Sequence, residues 1–288
     1  MSLTRSAGKF VGGILFSLAL ALAITAAGLA DFTARGNAIP FFTNILGPYA
    51  TATIRQSVQG VDNYAQRQDV LAMCEGREAL QSGAVDMSSV GGGSLQISIS
   101  CPELIAATEY SPDVAATVGN LTAKAVANAL YDYNYTCGFV DCMQQGRLLV
   151  VMSAEGNAFF LFVQPVLAII TAAGAVMLLA ANENWAARLK SIGTHTAMVG
   201  VAYFILTFGK SYMISAMVPS SAKAQLATAG IDIGAMVDSV VGPMNDMLLY
   251  TFVAGVAIVA AGYIIAWRWP EKARVQPQQP QSVLDIKK

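Results

Sequence analysis

Residues 158–181, AFFLFVQPVLAIITAAGAVMLLAA, run for 24 positions without one Asp, Glu, Lys or Arg. At 1.5 Å per residue a helix of that length reaches about 36 Å, enough to cross roughly 30 Å of hydrocarbon. A helix in a soluble core seldom goes so far without a charge, so the stretch reads as a transmembrane span. Two more stretches, Phe10 to Ala30 and Met247 to Trp267, are 21 residues each and equally free of charge. A fourth, about Ile192 to Val218, contains Lys210 and leaves its own outer end undecided. The whole chain agrees: 55% of residues are hydrophobic, 12% are charged, and the mean hydropathy is +0.52. A soluble domain carries about a quarter charged residues, so this composition calls for a lipid bilayer as partner. A net charge of -1 supplies no basic footprint for phosphates, which argues against nucleic acid.

Orientation follows from the segments between spans, because retained segments are enriched in Lys and Arg. The N-terminus, the connection after the second span and the C-terminal tail together hold nine basic and three acidic residues. Asp31 to Asn157 reverses the bias, with six basic and twelve acidic residues, and the connection after the third span holds Lys223 against Asp232, Asp238 and Asp246. The pattern predicts a multi-pass protein of the cell membrane with both termini cytoplasmic. Its expected parts are an anchor over residues 1–30, an extracytoplasmic domain over 31–157, spans over 158–269 with a short outside amphipathic segment at 219–245, and a flexible tail over 270–288. A rival reading exists for the anchor: Arg5, Lys9, an apolar run and Gly28-Leu29-Ala30 also resemble a cleavable leader. The apolar run is longer than the usual 7 to 15 residues or so, which favours a retained span.

Cys74, Cys101, Cys137 and Cys142 all fall in the segment placed outside, as do the sequons at Asn120 and Asn134. Four cysteines in an oxidising compartment read as two disulfides with three possible pairings. Cys74 with Cys101 and Cys137 with Cys142 are preferred, since sequence-near partners are easiest to join. Asn120 and Asn134 are candidate glycosylation sites wherever the machinery exists. Pro40 and Phe41-Phe42 lead to an expected turn at Gly47-Pro48. A helix is expected from Ala50 to Leu80, a turn at Gly91-Gly92-Gly93, a strand over Leu95 to Ile99 and a second helix over Pro112 to Tyr131. The fold class is therefore an all-α membrane protein: a four-helix bundle with a mostly helical, disulfide-stabilised domain inserted between spans 1 and 2.

Cys74 and Cys101, then the aromatic run Tyr131 to Tyr135 leading into Cys137-Gly-Phe-Val-Asp-Cys142, resemble a group of uncharacterised archaeal membrane proteins. Those share a plan of first span, cysteine-bearing loop and three further spans. The resemblance implies the architecture and brings no activity with it. Outward-facing paired cysteines on four spans also resemble the disulfide-generating quinone oxidoreductases of bacterial inner membranes. Such enzymes use Cys-x-x-Cys with a lowered thiol pKa. Here the nearest pair is separated by four residues and includes Asp141, an acid that disfavours a thiolate.

The one histidine, His195, is expected at the inner edge of the third span, so no histidine triad or cluster can form in the outside domain. No pair of outside acids stands out by spacing, and no phosphate loop or dinucleotide motif is present. The expectation is a non-enzymatic protein without catalytic residues, cofactor or metal. Lys210 is the sharpest intramembrane feature: it either snorkels to the headgroups or pairs with Glu155 or Asp246, and a transport role would use it. Gln164-Pro165 marks a second polar break in a span. Alanines at 19, 23 and 27, at 168 and 172, and at 257 and 261 offer small faces for helix packing. Leu226, Ile233, Met236, Val237 and Val240 read as an amphipathic helix that lies either on the membrane or, as preferred, beneath the large domain. The function expected is contact with a protein partner, or with further copies of the chain, in an envelope scaffold. The alternatives are an oligomeric channel or transporter using Lys210 and a membrane thiol–disulfide oxidoreductase.

Overall fold

The computed structural model describes residues 3–81, 85–86, 94–217 and 233–269. The glycine turn at residues 91–93, the segment around Lys223 and Leu226, and the tail from Pro270 lie outside the described residues. The fold is mostly helical, and four helical segments are long and apolar enough to cross a membrane: Ser6–Phe32, Ala154–Ala181, Trp185–Lys210 and Val237–Arg268.

The chain begins with α1 (Leu3–Phe32), and after two linking residues enters α2 (Arg35–Ser57). No turn forms at Gly47-Pro48; Pro40 and Pro48 both lie inside α2. The continuous helix expected from Ala50 to Leu80 is likewise interrupted. Gly60 and Gly76 take positive φ values of 83° and 67°, which a side chain disfavours, and they separate α2, α3 (Asn63–Cys74) and β1 (Ala79–Gln81). The strand expected over Leu95 to Ile99 splits into β3 (Ser94–Leu95) and β4 (Ser98–Ser100). β4 pairs antiparallel with β1, Leu80 opposite Ile99, and β3 pairs with β2 (Val85–Asp86). Then follow α4 (Cys101–Glu109), α5 (Val114–Tyr131), α6 (Phe139–Gln144) and a 3-10 turn over Leu148–Met152.

α2 and α5 form the backbone of this loop domain. Ala115, Gly119, Ala123 and Ala127 recur every four residues and are all buried, giving α5 one smooth face. A methyl group on Gly119 would come within 2.7 Å of the Thr51 backbone, so the two helices meet almost main chain to main chain. Arginines clasp both ends of the antiparallel pair. Arg35, at the start of α2, donates to both oxygens of Asp132 at 2.7 and 2.8 Å and to Asn128 at 3.0 Å, beside the end of α5. Arg55, near the end of α2, pairs with Asp113, the N-cap of α5. Exposed pairs of this kind contribute only about 0.2–1 kcal/mol each, so what they chiefly set is register. Beside this pair, Val70, Cys74, Cys101, Leu104 and Val114 form a small apolar core. Cys74 and Cys101 are joined within it, Cα atoms 5.5 Å apart, tying the end of α3 to the start of α4. A thin core gains most from such a link, about 2–4 kcal/mol.

Four further helices complete the bundle: α7 (Ala154–Ala181), α8 (Trp185–Gly200) continuing through Val201 into α9 (Ala202–Met217), and α10 (Ile233–Arg268). Ile233 to Val240, expected in a separate amphipathic helix, are instead the first turns of α10 and run straight into the fourth span. α1 is central, packing on α7 and also touching α8 and α10. The seams are made by glycine more than by the alanines singled out in sequence. Ala19 is buried, but Ala168, Ala172 and Ala257 are exposed. Gly174 lies against the Phe16 backbone, while Gly193, Gly200, Gly255 and Gly262 line the contact between α8 and α10. Lipid offers no hydrophobic drive for helices to associate, so this close fit supplies the attraction. All three tryptophans, Trp185, Trp267 and Trp269, gather at the end of the bundle where α8 begins and α10 ends.

Because a methyl on Gly255 would meet the Ala197 amide nitrogen at 2.3 Å, Gly255→Leu is expected to destabilise the protein by about 1–3 kcal/mol through overpacking. Val256→Leu, at the exposed neighbouring position, should change little. Thermal melts in mild detergent compare them, and equal melting temperatures would refute the seam.

Candidate functional site

The loop domain is fastened to the spans at one joint. Asn157, in the first turn of α7, donates its amide to the Ala30 carbonyl at 2.7 Å and to the Thr33 hydroxyl at 3.2 Å, joining the exit of α1 to the entry of α7. Ser153 caps α7 by accepting from the Gly156 N–H, and its own hydroxyl donates to the Val150 carbonyl at 2.7 Å. Thr33 and Ser153 are fully buried, and each hydroxyl is satisfied, Thr33 donating to the Leu29 carbonyl at 2.6 Å while accepting from Asn157.

On this joint sits the aromatic and cysteine cluster foreshadowed by the Tyr131 to Cys142 run. Cys137 and Cys142 are joined, Cα atoms 5.4 Å apart, as are Cys74 and Cys101. Tyr135, Cys142 and Val150 form the buried centre, flanked by Tyr133, Cys137 and Phe139. Phe139 stacks on Phe159 of α7 with ring centres 4.1 Å apart and meets Phe160 edge-on. The Arg147 guanidinium donates to Cys137 Sγ at 3.2 Å. Burial, with Tyr133 and the charge of Glu155 nearby, pushes the Tyr135 phenol up to about 12. At the other end of α5, the Ala116 N–H and Arg55 hold the Asp113 carboxyl below its ordinary range.

A second feature of the domain is a cleft of about 490 Å³ between the β1–β4 ladder and α5. Glu78, Ala79, Ser98, Ile99, Lys124 and Asn128 contribute to its walls. Lys124 is paired with Glu103 at 2.9 Å.

The remaining candidates are dispersed. Asn134 is exposed in the irregular segment between α5 and α6, where an enzyme has room to reach it. Asn120 lies in mid-helix on α5, its Oδ1 over Gly47 of α2. Gln164 is half-buried on α7, whose neighbours include α1 and α8, whereas Lys210 is on α9, which packs on α10 and α8. Lys210 pairs with Asp238 of α10, in place of Glu155 or Asp246. One turn earlier Thr207 accepts from the Asn245 amide at 3.1 Å, so polar groups on α9 meet polar groups on α10. His195 is not at an edge: the third span starts at Trp185, placing it ten residues, about 15 Å, along the helix. There it shares a 3.0 Å hydrogen bond with Ser17 of α1, its ring seated over Gly13. Among the described residues no group of three or more His, Cys, Asp or Glu is placed to hold a metal ion.

Arg147 and Ser17 carried no signal of their own in sequence, since each is an ordinary residue until the fold supplies its partner. The i, i+4 ladder on α5 and the clustering of the tryptophans were readable from spacing alone. Comparison with protein-family models, with curated proteins and with solved structures yields no match.

Two outcomes test this geometry. The folded phenol of Tyr135 titrates at about 12 against about 10 when unfolded, so the stability linked to its burial is intact below about pH 10 and is lost as pH rises towards 12. Alkaline melts should show this loss, on the order of 2 kcal/mol, and Tyr135→Phe should remove it; an unchanged profile would contradict the burial. For Lys210, Asp238→Asn leaves the ammonium without its carboxylate and should lower thermal stability by on the order of 1 kcal/mol. The double change Lys210→Met with Asp238→Leu should recover most of that loss, and equal melting of the two variants would argue against the pair.

Proposed function

We propose that this chain is a multi-pass membrane protein whose loop domain faces the oxidising side and docks an extended segment of a protein partner. The charge asymmetry between Asp31–Asn157 and the opposite segments supports the sidedness, as does the confinement of all four cysteines to that domain. In this reading α1 is a retained span, since it is packed against α7, α8 and α10.

The observation that carries the docking role is the cleft beside the β1–β4 ladder. Among the described residues β1 and β4 pair with each other in a two-stranded ladder, and the unpaired edge of such a ladder can accept an added strand from another chain. Main-chain bonds along a three-residue strand give little affinity by themselves, so side chains in the cleft set the choice of partner. Lys124 is already neutralised by Glu103, which leaves Glu78 as the charge offered to the occupant. The cleft therefore favours a segment bearing Lys or Arg. The two arginine clasps and two cysteine pairs keep the domain ordered before the partner arrives, so little ordering entropy opposes binding. The Lys210–Asp238 pair fits an anchoring role for the bundle, because it compensates the cation at the opposite end of the third span from Arg188 and Lys190.

A photo-crosslinking residue at Ala79 or Ser98 tests the docking role in intact cells, with exposed Tyr64 on α3 as the control position. One protein partner is expected at the cleft positions and not at Tyr64, with yield falling several-fold on Glu78→Lys. Crosslinks to the chain itself would assign the cleft to self-association. Lipid adducts alone, or the same products at Tyr64, would remove the docking proposal.

A further inference from the structure

The two cysteine pairs sit in opposite environments. Cys74 and Cys101 are 4% and 1% exposed, enclosed by Val70, Leu104 and Val114 and separated by 27 residues. Cys137 and Cys142 are five residues apart, in a segment pressed against the entry of α7. Cys142 is 0% exposed, whereas Cys137 is only half-buried and within reach of solvent. Thiol–disulfide exchange needs a sulfur that an incoming thiolate can reach and a protein environment that tolerates the thiolate formed. Cys137 meets the first need through its partial exposure, and Arg147, whose guanidinium donates to its Sγ at 3.2 Å, serves the thiolate set free at Cys137 in the second displacement. Asp141 opposes this from an exposed position, where water screens its charge, while Arg147 touches the sulfur directly. Closing a short loop also restrains the unfolded chain less than closing a long one, so opening the 137–142 link sacrifices less stability.

We propose that Cys137–Cys142 is an exchange-competent disulfide at the membrane joint, with Cys137 the sulfur attacked by an external dithiol. A thiolate of the dithiol attacks Cys137 Sγ, the bond to Cys142 breaks, and the electron pair leaves on Cys142 Sγ, which takes up a proton. The second thiol of the dithiol then attacks the mixed disulfide at the external sulfur. It releases Cys137 as a thiolate held by Arg147, and the dithiol departs as a disulfide. Two electrons pass from dithiol to protein, so the dithiol is oxidised once, and the reverse sequence reduces an external disulfide and restores the Cys137–Cys142 bond. Cys74–Cys101, enclosed in its core, takes no part. The inference is independent of the docking cleft, which lies on the β1–β4 side of the domain.

The experiment uses the full chain in mild detergent, exposed to graded dithiothreitol, trapped with iodoacetamide and read by peptide mass spectrometry. Cys137 and Cys142 are expected to label at about tenfold less reductant than Cys74 and Cys101. Arg147→Ala should slow alkylation of reduced Cys137 at neutral pH by about threefold or more, and Arg147→Lys should restore most of the rate. In the Cys142→Ser variant, Cys137 should form a mixed disulfide with glutathione disulfide. Retained protection of Cys74–Cys101 in each variant shows that the domain is folded. If a variant loses that protection, the wild-type order of opening decides. Simultaneous opening of both pairs, earlier opening of Cys74–Cys101, or a rate indifferent to Arg147 in folded protein would overturn the proposal.

Discussion

Hydrocarbon offers a peptide group no hydrogen-bond partner, so any chain that crosses it must satisfy its own backbone on the way. That constraint accounts for the length of the four apolar helices and for the way they meet. With nearly all N–H and C=O groups occupied inside their helices, adjacent spans attract each other by close packing and by occasional side-chain bonds. Gly193, Gly200, Gly255 and Gly262 supply the close packing between α8 and α10. Ser17 with His195, Lys210 with Asp238 and Thr207 with Asn245 supply the polar ties. Prolines 165 and 243 are accommodated within their helices, and the turn at Val201 leaves the third span helical on both sides.

Outside the spans the same polymer obeys different physics. Here water competes for every polar group, and a domain of this size has little apolar interior. The α2–α5 pair meets this with a smooth face of small residues, a charge clasp at either end and a separate apolar core around Cys74–Cys101. The two regimes join where Asn157 binds Ala30 and Thr33. Since that joint lies beside the Phe139–Phe159 stack, a change in the 137–142 segment is felt first at the start of α7.

The sequence made the spans legible because lipid tolerates so few alternatives. A charge-free run of 24 residues has almost no other reading. The third span is expected from about Ile192, whereas its helix begins seven residues earlier at Trp185, so His195 lies ten residues along that helix instead of near its start. In the loop domain, propensity indicated helix at Ala50 to Leu80, and Gly60 and Gly76 overrode it. Gly47-Pro48 suggested a turn, yet both residues lie inside α2, which packs along α5. The cysteine pairs followed from proximity in sequence, whereas Arg147 on Cys137 and Asp238 on Lys210 are tertiary pairings that no local pattern encodes. The Ala115 to Ala127 ladder, by contrast, is a local i, i+4 pattern that the spacing of small residues encodes.

The gathering of Trp185, Trp267 and Trp269 at one end of the bundle has an optical consequence. The loop domain contains tyrosine at positions 49, 64, 110, 131, 133 and 135 and no tryptophan at all. Emission excited at the red edge of the protein band therefore arises from one rim of the molecule, at the opposite end of α7 from the cysteine cluster. Any signal that changes there when the loop domain is perturbed has travelled the length of the helices.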